Sequence, residues 1–152
     1  MKIGELAKAS GTAVETIRFY EREGLLPPPA RSPANYRHYQ PAHLERLRFI
    51  RRCRALDMAL DEVRALLQAR DQPPADCSGV NQVLDAHIAH VAARLAELQG
   101  LQQELLTLRQ RCSAPGPDCG ILAGLAEAEP GRKPLGAVHG PHEGGRTGKT
   151  KG

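Results

Sequence analysis

The chain has 152 residues, 41% of them hydrophobic and only 3% aromatic, with a formal net charge of +4. That length suits one compact core plus an extension. No run approaches the ~18 apolar residues of a membrane span and no signal-peptide pattern opens the chain, so a soluble, cytoplasmic protein with reduced cysteines and no membrane partner is expected. The charge is uneven. Residues 1–70 hold 13 Lys/Arg against 8 Asp/Glu, residues 71–130 hold 3 against 8, and residues 131–152 hold 5 against 1. A basic head, an acidic middle and a basic tail fit a nucleic-acid-binding head joined to a separate oligomerisation element. A merely solvated basic surface would have the same composition.

Ile3 to Ala9 reads as a short amphipathic helix with Ile3 and Leu6 inward, broken at Gly11. Thr12-Ala13-Val14-Glu15 has the form of a capping box, so a second helix is expected from Thr12 to about Glu23, stopped by Gly24. Two short helices across a glycine-containing turn make a helix-turn-helix, whose second helix enters the DNA major groove. The candidates for that contact are Thr16, Arg18, Tyr20 and Arg22, with Val14 and Ile17 packing inward. Pro33-Ala34-Asn35 then reads as the turn of a small hairpin flanked by Arg31, Tyr36, Arg37 and Tyr39. Arginine and tyrosine donors suit phosphate, so this hairpin reads as a wing on the DNA backbone. Its tyrosines would equally serve to pack the hairpin on the helices.

Pro41 suits a first helical position, and the helix beyond it should run to about Ala55. Arg46, Arg48, Arg51, Arg52 and Arg54 give that helix a basic face, for solvation, extra phosphate contact or contact with RNA polymerase. Cys53 reads as a small buried residue. Leu60 to Ala69 forms another short helix, ended by Gln72-Pro73-Pro74.

From about Val80 to Arg111 runs one long apolar-striped segment. Leu84, Ile88, Val91, Leu95, Leu98 and Leu105 fall on the a/d seam of a heptad repeat, and Cys77 and Cys112 extend it at both ends on d. Their separation of five heptads is roughly 50 Å along one helix, so a single helix never joins the two thiols. An antiparallel pair of helices brings Cys77 of one chain to Cys112 of the other. Cys119 follows Cys112 through Ser113-Ala114-Pro115-Gly116-Pro117-Asp118, where Pro-Gly-Pro forbids helix and a loop can fold Cys119 back. Three thiolates would suit a soft metal such as Zn, Cd, Pb, Hg or Cu(I). A Cys112–Cys119 disulfide and inert thiols are the other readings of this spacing. Ile121 to Ala128 reads as a short apolar helix. From Pro130 onward ten of 23 residues are Gly or Pro, which reads as a disordered tail. His87 and His90 share one face of the long helix, and with His139 and His142 of the partner's tail they would make a second, histidine-based metal site. Scattered surface histidines are the simpler account.

Ile3-Gly4-Glu5-Leu6-Ala7, Thr16-Ile17-Arg18-Phe19-Tyr20-Glu21-Arg22-Glu23-Gly24-Leu25-Leu26 and Asn35-Tyr36-Arg37-His38-Tyr39 resemble the amino-terminal domain of the MerR family of dimeric transcriptional regulators. The likeness is specific over about the first 70 residues and looser beyond. It implies a mainly α fold: a winged helix-turn-helix head with hinge helices (1–70), a linker and long antiparallel coiled-coil dimerisation helix (71–111), a metal-binding loop and short helix (112–128), and a tail (129–152). It implies a homodimer on a palindromic promoter that distorts the DNA when metal binds, so that polymerase can use a promoter with overlong spacing. A cysteine at the position of Cys77 accompanies divalent-ion sensing in this family, whereas monovalent-copper sensors carry serine there. The loop, with no histidine and no further cysteine, resembles that of cadmium- and lead-responsive members and differs from the zinc-responsive ones. The resemblance therefore implies Cd2+ or Pb2+, with Zn2+ or Hg2+ as the remaining candidates, held by Cys77, Cys112 and Cys119. The competing reading keeps the DNA-binding head and makes Cys112 and Cys119 a redox sensor. Nothing in the chain supports an enzyme: there is no Cys-x-x-Cys, no triad-like pairing and no phosphate loop.

Overall fold

Gly11 sets the first corner of the chain. It closes the first helix, α1 (Ile3–Ser10), in the left-handed region at φ 64°, where only glycine is unstrained. The N–H groups of Gly11 and Thr12 both return to the Ala7 carbonyl. Thr12 thus belongs to the closing turn of α1, and α2 (Val14–Arg22) begins two residues later than expected, with Ala13 as its N-cap and no side-chain cap. The computed structural model describes residues 1–112 and 119–127; residues 113–118, expected as a loop, and those from 128 onward, expected as a disordered tail, lie outside the described residues. The remaining elements are a hairpin of β1 (Ala30–Arg31) and β2 (Arg37–His38), then α3 (Pro41–Ala55), α4 (Leu60–Asp71), α5 (Ser78–Gln110) and α6 (Gly120–Ala126).

Three helices start by one device. The side chain of the third helical residue reaches back to the N-cap amide: Lys2 N–H donates to Glu5 (2.7 Å), Gln40 N–H to His43 Nδ1 (3.0 Å) and Ala59 N–H to Glu62 (2.9 Å). Each satisfies one of the amide donors that a helix start leaves open. α2 ends at Gly24 (φ 70°), where the Leu25 and Leu26 amides both bond the Tyr20 carbonyl. In the hairpin, Ala30 pairs with His38 and Arg31 with Arg37, antiparallel. Its turn is closed by Asn35 N–H to Ser32 O at 2.8 Å, with Pro33 in the position whose φ the turn requires.

The first compact unit, Met1–Val83, has one core built from every helix of the head. Leu6 of α1, Ile17 and Tyr20 of α2, Leu25, Leu26, Tyr39, Leu47 and Ile50 of α3, and Val63 and Leu67 of α4 are buried together. Cys53 is buried among them, as expected of a small apolar residue, and burial pushes its thiol pKa up. Arg51 locks the α1 corner: its guanidinium donates to Ser10 O at 2.8 Å and occupies the space that a side chain on Gly11 would need. Gly11→Ala should therefore combine left-handed strain with the loss of that bond. It is expected to cost about 2 kcal/mol, read as a lowered urea midpoint with unchanged slope.

The second unit starts at Leu84, inside α5. α5 has 33 residues, about 50 Å at roughly 1.5 Å per residue. Its seam is exposed along the whole length, from 37% at Leu84 to 63% at Ile88. At its end α6 packs so closely that a Cβ on Gly120 would lie 2.6 Å from the Arg111 carbonyl, and one on Gly124 2.6 Å from a Leu108 methyl. Arg111 and Glu127 pair at 3.8 Å across the same contact. Leu122 and Leu125 of α6 remain exposed.

Candidate nucleic-acid interface and thiol pair

α2 presents Arg18 and Arg22 to solvent, with Thr16 half-buried. Beside them the wing presents Arg31, Tyr36 and Arg37. Arg18, Arg22 and Arg37 converge with Ile3 and Glu21 on one open cleft of about 440 Å³. Arg31 is steadied by a 2.9 Å bond to Asn35 Oδ1 across the turn, which leaves most of its donors outward. Tyr36 is 67% exposed with the Lys2 ammonium 5.9 Å above its ring. A row of guanidiniums on one helix and the adjoining hairpin is the arrangement that neutralises phosphates and sets register on a duplex.

Two of the expected DNA donors are largely buried. Tyr20 is 8% exposed and Tyr39 1%, and both belong to the core. The Tyr39 hydroxyl donates to Glu21 Oε1 at 2.6 Å, and Glu21 Oε2 accepts from Arg37 at 3.4 Å. Glu21 is therefore the hub that ties the wing to the recognition helix. Its partners lie 16 and 18 residues away, a separation that no helix or strand periodicity reveals. Burial, then the hydrogen bond and charge of Glu21, pushes the Tyr39 pKa up to about 12. The folded state thus holds this proton more tightly than the unfolded chain. The resulting stability is complete below about pH 10 and is lost as pH rises through the folded value. Tyr39→Phe should cost about 1–2 kcal/mol at pH 7 and flatten the alkaline limb of the stability profile, measured by urea melts from pH 7 to 11.

The thiols stand at the two ends of α5. Cys77 is exposed and its carbonyl accepts the Asn81 amide at 2.8 Å, so it forms the N-terminal boundary of the helix. Beyond the other end, the sulfurs of Cys112 and Cys119 lie 3.5 Å apart. Cys119 opens α6, and the amides of Leu122 and Ile121, together with Cys112, hold its thiol below the ordinary range. The adjacent Cys119 sulfur raises Cys112 in turn. Two sulfurs on a tetrahedral zinc with bonds of ~2.3 Å would be about 3.8 Å apart, and larger ions spread them further. The pair fits a soft metal after opening by a few tenths of an ångström, and supplies two of the ligands such an ion needs. His87 and His90 stand one turn apart on α5, while His139 and His142 lie outside the described residues.

A two-helix reader with a basic face, a hairpin wing and a long helix with an exposed apolar seam define a winged helix-turn-helix DNA-binding protein. Residues 1–70 match the model of the MerR HTH family regulatory protein, and residues 44–108 match that of the MerR DNA-binding region. The chain is 49% identical over 111 residues to the HTH-type transcriptional regulator ZntR homolog of Haemophilus influenzae, covering 73% of this chain and 82% of that one. It is 34% identical to the HTH-type transcriptional regulator ZntR of Escherichia coli K12, over 87% of this chain and 96% of the relative. The transcription regulator PbrR691 of Ralstonia metallidurans CH34, solved in complex with lead(II), shares 55% identity and a TM-score of 0.74, over 83% of this chain and 99% of that one. The chain belongs to the MerR family of transcriptional regulators, which are not enzymes.

Proposed function

We propose that the protein is a homodimeric, cytoplasmic, metal-sensing regulator that binds a palindromic promoter and switches transcription on when a divalent soft ion binds. The observation that carries this is the cysteine geometry: a 3.5 Å sulfur pair beyond one end of a 33-residue helix and an exposed cysteine at the other. In an antiparallel dimer, Cys112 and Cys119 of one subunit meet Cys77 of the partner subunit. The heptad supports that register. Placing Cys77 opposite Cys112 also places Leu84 opposite Leu105 and Val91 opposite Leu98, all exposed apolar residues of the seam. Among the described residues no helix is long and apolar enough to cross a membrane.

Cadmium or lead is the assigned inducer, with zinc and mercury next. Three thiolates and no histidine in the loop form a soft donor set, and a relative of 55% identity was solved with lead(II). The head would hold the operator through Arg18, Arg22, Arg31 and Arg37, with RNA polymerase as the second partner. Activation by DNA distortion requires the metal to bind more tightly to the distorting state than to the resting one. Transcription from an operator-bearing promoter, titrated with Cd2+, Pb2+, Zn2+, Hg2+ and Cu(I), tests the reading. Cadmium or lead should induce at the lowest free concentration; a lead held by Cu(I) would overturn the divalent assignment.

A further inference from the structure

The start of α5 is connected to the recognition helix within the head. The connection is a short run of contacts inside the first unit. Cys77 bounds α5, and Asp76 fixes that end by accepting both the Ser78 amide (2.9 Å) and its hydroxyl (2.5 Å). Behind it stands Pro73-Pro74, whose rings fix φ and stiffen this part of the linker. The linker leads to Asp71, the last residue of α4. Asp71 accepts from Arg46 Nη1 through both carboxylate oxygens, at 2.7 and 2.9 Å, and these bonds hold its pKa below the ordinary range. Arg46 is 16% exposed, and its Nε–H donates to the Leu25 carbonyl at 2.5 Å. The Leu25 amide in turn bonds Tyr20 O, within the last turns of α2. An apolar groove of about 300 Å³, lined in part by Leu66, Ala69, Pro74, Val80 and Val83, leaves the linker room to shift against α4.

We propose that the Arg46–Asp71 pair is the positioning contact that couples the Cys77 end of the dimer helix to the recognition helix, so that a shift of the linker on metal binding is delivered to Leu25 and α2. Arg46 touches neither metal nor DNA in this account. It acts through the peptide group that closes α2. The proposal rests on the metal-sensing reading above.

The experiment uses the full-length dimer, its operator promoter and Pb2+. Asp71→Asn keeps shape and removes the charge. Its operator affinity and its Pb2+ affinity, by chelator competition, are expected within about threefold of wild type, while Pb2+-dependent induction falls at least roughly fivefold. Asp71→Glu, which keeps a carboxylate, should retain most of the induction. Arg46→Lys, which also loses the Nε–H bond to Leu25, should impair induction at least as much as Asp71→Asn, and the double variant should be no worse than Arg46→Lys alone, because Asp71 acts only through Arg46. Wild-type induction in Asp71→Asn overturns the proposal. So does a fall in melting temperature and operator affinity that accounts for the lost induction, since that marks a purely structural contact. Failure of the sensing reading itself is separate and shows in the wild type alone, as transcription that ignores Pb2+.

Discussion

Two variants that each fail to bind the inducing metal should recover part of the site when mixed. Cys77→Ser removes one ligand from both sites of the dimer, and Cys112→Ser/Cys119→Ser removes the other two. Each homodimer then has no complete site, and affinity should fall beyond the roughly 100-fold that losing a mere outer-shell partner costs. In a heterodimer the damage is concentrated. One site loses all three thiolates, and the other keeps Cys112 and Cys119 from the first variant and Cys77 from the second. Random exchange at equal amounts makes half of the dimers mixed, so roughly a quarter of the wild-type tight-binding stoichiometry should return. Thiolate-to-metal charge-transfer absorbance on titration with Pb2+ gives the readout. A site contained within one chain would recover nothing on mixing, because each variant chain is already broken. The experiment therefore separates shared from private ligands without reference to transcription, and a folding defect is visible as a failure of the variants to exchange.

The helices were legible because their boundaries are written in local chemistry. Pro41 at the first position and the apolar spacing beyond it predict α3 to the residue, and the heptad predicts α5 to within two residues at its N-terminus and one at its C-terminus. Thr12 misleads because two rules compete for it: it fits a capping box with Glu15, but its amide is taken by the closing turn of α1 around Gly11. For Tyr39 the choice between phosphate contact and packing on the helices stays open in the sequence. Strands of two residues are too short for alternation to say which side chains face in. Residues that hold the head together through long-range bonds, Glu21, Arg46 and Arg64, carry no local signal at all. Arg64 donates to Glu23 O at 2.8 Å across 41 residues, and in sequence it is one more charged residue on a helix of mixed charge. The cysteines were legible in composition and spacing. The return of Cys119 towards Cys112 was legible in the helix-breaking Pro-Gly-Pro, but the packing of α6 on α5 through Gly120 and Gly124 that holds the sulfurs 3.5 Å apart carries no local signal.

Leu98→Asp should weaken the dimer strongly. Leu98 is 45% exposed on the isolated chain, in the middle of the seam, and faces Val91 of the partner subunit in the proposed register. Fully burying an exposed leucine stabilises by about 1.5–3 kcal/mol; with 45% of Leu98 left to bury and two-fold symmetry counting each substitution twice, removing it costs about 1.5–3 kcal/mol of association before the charge is considered. An aspartate also faces an apolar partner with no counter-ion, and its desolvation adds to the loss. Sedimentation equilibrium should show dimer dissociation raised by a factor on the order of 10 to 10² or more. The head has its own core, from Leu6 to Leu67, so it should remain folded. Operator binding then supplies the sharper test. Two heads on one dimer bind a palindrome with the benefit of high local concentration, and two separated heads do not. Affinity for the full operator should fall towards that for a half-site, with the half-site affinity itself unchanged. Leu56→Asp is the control: Leu56 is 54% exposed but lies between α3 and α4, off the seam, and should leave the dimer intact. If Leu98→Asp left sedimentation and full-operator affinity at wild-type values, the seam would not be the dimer interface. The cross-subunit assignment of Cys77 would fall with it, because the same heptad places both.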